Sequence, residues 1–247
     1  MSPSPADDAR PATVTPTSPG TPRPRPRPGW TEIAVGLGVL AVVTVVSVRI
    51  ITPADVGPVA FGLFLTALSA IAAGGGFAVA AVVRIRSWTA FGVRRTSRGW
   101  MLVGLAGGVG AFALKFPAIA AYVAFTGVGG NAQDLWQSAA TTGVTTVLLS
   151  ILFLGVLTPI GEELLFRGVL TTALLRYGAV VGVVASALIF AVIHLAPATV
   201  LVAVIVGLVA GELRRRSGSV WPGVAVHVTL NVLSNVLAFV VVPALGG

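Results

Sequence analysis

Cysteine is absent from this 247-residue chain. Its absence excludes disulfides, thiolate catalysis and zinc–thiolate sites. Charge is also scarce: only 10% of residues are Asp, Glu, Lys or Arg, against roughly 25% in an ordinary soluble domain. Hydrophobic residues make up 55% of the chain and the mean hydropathy is +0.96. So little charge cannot cover a water-facing surface. Several apolar runs also exceed the roughly 18 residues that mark a bilayer-crossing helix. Together these features read as a multi-pass integral protein of the cell membrane, with the lipid bilayer as its first partner. Acids are the scarcer sign, 8 against 16 bases, for a net charge of +8. The basic excess lies in the N-terminal stretch and in short segments between apolar runs. That pattern suits topology and anionic headgroups, and no nucleic-acid motif or partner is expected.

Residues 1–29 are rich in Pro, Ser and Thr and end in Arg23-Pro24-Arg25-Pro26-Arg27-Pro28. Proline fixes φ and removes donors, so this stretch reads as a disordered Pro/Arg-rich cytoplasmic tail. It is too long before the first apolar run to be a signal peptide. Residues 30–247 read as an all-α, polytopic transmembrane helix bundle of about seven spans. The spans are expected near 31–48, 58–83, 100–126, 140–160, 178–196, 198–213 and 220–243, with a catalytic core at 140–243. Placing the N-terminus in the cytoplasm puts nearly every arginine on the inside. Arg49 alone falls in an outside loop, and Lys115 falls within a span. This bias fixes an N-in topology and places Gly161–Arg176 at the cytoplasmic face.

The polar residues within the apolar core carry the chemistry. Glu162-Glu163-x-x-x-Arg167 follows the fourth run. A charge at mid-bilayer costs about 2.5–3.5 kcal/mol on insertion scales, so such residues face protein or water. Glu163 and Arg167 stand at i, i+4, acid first, and can pair on one helical face. Glu162 sits about 100° away and is left free. Thr158-Pro159 is positioned to cap or kink the helix; a helix starting there would place its positive end near Glu162. Ser186, Phe190 and His194 form one stripe, as do His227, Asn231 and Asn235. The bland readings are an interfacial salt bridge, a satisfied histidine and inter-helix glue, the last fitting Asn235 best. Yet both histidines and two adjacent acids fall within or beside three late apolar segments, which points to one shared buried polar site. On residues alone that site is catalytic, metal-binding or ion-carrying. Lys115 is read as lining a cavity or pairing with a buried acid, and Glu212 as a local surface partner of the neighbouring arginines.

The ordered set of motifs resembles the CAAX prenyl protease and bacteriocin-processing (CPBP) family across about residues 155–236. It runs through Glu162-Glu163-Leu-Leu-Phe166-Arg167-Gly168 and Ser186-x-x-x-Phe190-x-x-x-His194. Gly207-x-x-x-Gly211, Ser217-Gly218-Ser219-x-Trp221-Pro222 and His227-x-x-x-Asn231 follow. Upstream, Phe91-Gly92-Val93-Arg94-Arg95 is similar to the family's pre-core loop. The resemblance implies an intramembrane endopeptidase with a cavity opening to the cytoplasm. Glu162 and His194 would activate a water, His227 and Asn231 would stabilise the oxyanion, and Glu163 and Arg167 would shape the site. These residues suit amide hydrolysis, which needs a base, an oxyanion donor and a proton for the leaving amine. The implied substrate is a peptide or protein. The family name's CAAX motif is not carried over as substrate, because prenylation cannot be inferred from this chain.

Two histidines and two glutamates could hold Zn²⁺, but no His-Glu-x-x-His pair is present, and a cofactor-free mechanism is the reading favoured. Two competing functions use the same residues. One is a non-catalytic membrane interaction or immunity protein of the same fold. The other is an ion-coupled carrier, against which stands the lack of matched half-repeats with broken helices.

Overall fold

The computed structural model describes residues 27–51, 56–128 and 143–241. The tail at 1–26 lies outside them. The described residues are helical, with no strand among them. Six helices are long and apolar enough to cross a bilayer, and a seventh apolar helix is shorter. They are α1 (Trp30–Ile50), α2 (Pro58–Val83), α3 (Arg98–Thr126), α4 (Val144–Tyr177), α5 (Val181–Val192), α6 (Pro197–Ser217) and α7 (Trp221–Val241). Turn chemistry punctuates them. Ser97 accepts a bond from the Trp100 amide at the start of α3, Pro197 sits in the first turn of α6, and Gly218 ends α6 in the left-handed region. Large apolar side chains point outward all along the bundle, among them Val45, Leu102, Leu148 and Val192. In a water-soluble protein this would be a liability; in lipid it is the expected surface.

Arginines gather at one end of the bundle. Arg84 grips Glu32 at 2.8 Å, Arg94 donates to the Gly218 carbonyl at 2.8 Å, and Arg176 donates to the Pro28 carbonyl. The start of α1 and the ends of α2, α4 and α6 therefore share this face, the cytoplasmic one by the positive-inside rule. Close approach between α3 and α7 depends on glycine. A Cβ on Gly104 would stand 2.5 Å from the Pro222 carbonyl oxygen, and one on Gly108 would stand 2.6 Å from that of Val226. Small residues at helix contacts drive packing where lipid supplies no hydrophobic force.

One expectation is corrected here. The fourth helix does not stop near residue 160 to leave Gly161–Arg176 as a segment at the cytoplasmic face. It continues as a single helix to Tyr177, and Leu165 through Thr171 are all buried. Pro159 does not start a new helix either. The residue before its turn keeps helical φ and ψ, and a wider π-helical stretch at Ile151–Leu157 precedes it. Widening absorbs the missing proline donor and relieves the clash with the preceding turn. The acidic pair therefore sits inside the bundle without a helix N-terminus beside it.

Candidate active site

α4 carries two carboxylates with different surroundings. Glu163 is fully buried and bound by Arg167, with Nε donating to Oε2 at 3.0 Å and Nη2 to Oε1 at 3.2 Å. Arg167 is itself fully buried and its guanidinium lies 4.9 Å from the centre of the Phe190 ring. Its Nη1 is buried without a hydrogen-bond partner. Glu162, one residue earlier, is 12% exposed and faces a cavity. The i, i+4 spacing thus neutralises one acid and leaves its neighbour open.

α7 places His227 between the two acids. Its Nδ1 lies 3.2 Å from Glu163 Oε1 and its Nε2 lies 3.8 Å from Glu162 Oε2. An ionised carboxylate only accepts, so Nδ1 carries a proton there. One turn on, Asn231 donates from Nδ2 to the Leu154 carbonyl at 3.0 Å, and its second amide proton remains for the cavity. His194 closes the set at the end of α5. Its Nδ1 is 2.9 Å from the Phe190 carbonyl oxygen, which can only accept. The proton is therefore on Nδ1, and Nε2 of the neutral ring keeps its lone pair. Phe190 packs edge-on against His194 at 4.8 Å and His227 at 5.6 Å between centroids, fixing both rings.

Glu162, His194, His227 and Asn231 all line one cavity of about 260 Å³. Glu163 and Arg167 lie beneath it and do not reach it. The cavity runs away from the arginine-rich face. Along α7 it extends from His227 to Asn235, which are about 9 and 21 Å from the helix start at Trp221 by helical rise. α2 adds Thr66 and Ser69 from its arginine-poor half, and α6 adds Ala198 and Thr199 from its first turn. The lining therefore extends from the acid–imidazole cluster away from the arginine-rich face.

Other groups complete the lining. Lys115 lies in the wall, donates to Ser234 Oγ at 2.6 Å and stands 4.6 Å from the Phe112 ring centre. It meets the cavity expectation without a buried acid. Asn235 was expected to be inter-helix glue; instead its Nδ2 is buried without a partner, and Asn231 makes the inter-helix bond. Phe190 lines the cavity on the stripe it shares with His194, whereas Thr66 and Ser69 were visible only as two small hydroxyls inside an apolar run. Glu212 pairs with Arg215 at 2.6 Å, as expected of a local surface group. Among the described residues no three His, Asp or Glu side chains are grouped to hold a metal ion.

The bundle thus holds a cavity lined by an open carboxylate and two imidazoles. Residues 143–233 match the family described as Type II CAAX prenyl endopeptidase Rce1-like. The match is consistent with the CPBP family and covers every residue of the acid–imidazole cluster. Neither the curated proteins nor the solved structures return a match.

Proposed function

We propose that this chain is an intramembrane endopeptidase that hydrolyses a peptide bond with a water activated by Glu162 and His194. The observation that carries this reading is the convergence of Glu162, His194, His227 and Asn231, from three separate elements, on one cavity. Each polar group is costly in a bilayer, and a shared wet site is the economical reason to place them together.

The carboxylate of Glu162 takes a proton from the water, aided by the lone pair on His194 Nε2. Hydroxide adds to the scissile carbonyl carbon, and the carbonyl oxygen becomes an oxyanion. His227 donates through Nε2 when it carries both protons, and Asn231 donates its remaining amide proton, so two donors meet one oxygen. The carbon–nitrogen bond then breaks as Glu162 returns the proton to the leaving amine. General base action contributes about 10²–10⁴ in rate and each oxyanion donor about 10²–10³. Glu163 and Arg167 act as positioning residues, holding His227 Nδ1 and the floor of the site. The mechanism needs no metal. The substrate is a peptide segment that reaches the cavity from the arginine-poor half of the membrane.

The test is a comparison of membrane and released peptides in cells carrying the wild type or Glu162→Gln. New peptide termini present only with the wild type bear the reading out. An unchanged cellular phenotype in Glu162→Gln, with no lost termini, favours the non-catalytic interaction protein. Proteoliposome ion flux without cleavage favours the carrier.

A further inference from the structure

A second cavity, of about 1010 Å³, opens at the arginine-rich end, remote from the acid–imidazole site. Its walls include Arg27, Arg94, Arg176, Arg214, Thr89 and Thr172, and among the described residues no Asp or Glu lines it. Two acids at this end are already held by other arginines: Glu32 by Arg84 through two bonds of 2.8 Å, and Glu212 by Arg215 and Arg216. The hydrogen bonds of the wall arginines go to neutral acceptors. Arg94 donates to the Gly218 carbonyl, Arg176 to the Ala173 carbonyl at 2.9 Å and to the Pro28 carbonyl, and Arg214 to Thr172 Oγ1 at 2.8 Å.

Arg214 is the informative member. It is only 7% exposed, and its Nε is buried without any partner. A guanidinium with an orphan donor at that depth is expensive unless an anion completes it. The backbone is shaped around these side chains. Gly92 and Gly218 both take positive φ, +79° and +68°, and a Cβ on either would collide with a guanidinium, that of Arg214 in the first case and Arg94 in the second. Two glycine turns therefore make room for two arginines that line a cavity with no acidic side chain among the described residues.

We infer that this cavity is a phosphate-binding site, taking the headgroup phosphate of an anionic phospholipid or a soluble phosphate of the same chemistry. Guanidinium forks match phosphate oxygens in bidentate geometry, and Thr89 adds a hydroxyl to the lining. Basic pockets between helices at the cytoplasmic face are where such headgroups lie. This inference does not depend on peptidase activity.

The full chain in phosphatidylcholine nanodiscs is unfolded thermally, followed by tryptophan fluorescence, with phosphatidylglycerol or inorganic phosphate titrated in. Wild type is stabilised. Arg94→Gln and Arg176→Gln, both at exposed positions that tolerate the change, require at least about tenfold more anion for the same shift, and so does Arg214→Gln. Arg95→Gln, with the same charge loss outside the cavity, behaves as wild type. Dependence on phosphatidylglycerol alone assigns a headgroup, and saturation by inorganic phosphate in neutral discs assigns a soluble ligand; either supports the site. Equal losses in Arg95→Gln and Arg94→Gln, or no stabilisation of the wild type by either anion, overturns it.

Discussion

Breaking the buried Glu163–Arg167 pair by one residue at a time, and then by both, separates structural from chemical roles. Both side chains are fully buried and share two bonds of 3.0 and 3.2 Å. Arg167→Met leaves Glu163 with His227 Nδ1 as its remaining side-chain donor, at 3.2 Å. Removing one partner of a buried pair costs about 3–5 kcal/mol, whereas replacing both by apolar groups of similar size is often neutral or favourable by about 1–4 kcal/mol. The double variant Glu163→Leu/Arg167→Met is therefore more stable than either single one, by an interaction energy of about 3 kcal/mol or more in the cycle. Denaturant unfolding in detergent, followed by tryptophan fluorescence, reads the four stabilities. Cleavage does not recover with stability in the double variant, because His227 has lost the acceptor that fixes its ring. Additive losses in the double variant would refute the view of the pair as one mutually compensating unit. Full activity there would refute its positioning role.

Other perturbations give distinct signatures. Asn231→Ala lowers kcat by about 10²–10³ through loss of an oxyanion donor, with only about 0.6–2 kcal/mol of stability lost from the bond to Leu154; kinetics alongside unfolding shows the disparity. Gly108→Ala forces a Cβ to 2.6 Å from the Val226 carbonyl oxygen and destabilises by about 1–3 kcal/mol, seen as a lower unfolding midpoint. Because the chain has no cysteine, single-cysteine variants label cleanly: Thr199→Cys reacts with an impermeant maleimide from the outer side and Arg95→Cys from the cytoplasmic side. Labelling of both from one side would contradict the orientation of the cavity.

Much of the architecture was legible because hydrocarbon imposes strong rules. Composition and run length dictated an all-helical bundle, and the i, i+4 order of Glu163 and Arg167 dictated their pairing. The stripes at His227/Asn231 and Phe190/His194 were legible as faces, since period alone places them. What faces what was not legible. The continuation of α4 past Pro159 was hidden because proline reads as a breaker, and a widened turn that tolerates it leaves no mark in hydropathy. The direction of the cavity was hidden for a related reason: it depends on which halves of α2, α3 and α6 supply Thr66, Lys115 and Thr199. Asn231 and Asn235 lie one turn apart on one stripe, yet only Asn231 meets a carbonyl of α4, and no spacing rule distinguishes them. Arg214 looked like one of three surface arginines beside Glu212, because its burial comes from the loop at Gly92, far away in sequence.

The most direct measurement of the central claim is oxygen transfer from solvent. Purified wild type and Glu162→Gln, each shown to be folded, are incubated with a diverse peptide mixture in H₂¹⁸O, and the products are read by mass spectrometry. New carboxyl termini carrying ¹⁸O with the wild type, reduced by about 10²–10⁴ in rate with Glu162→Gln, are predicted. Equal ¹⁸O incorporation by the two proteins would contradict the assignment of Glu162 as the base that activates water.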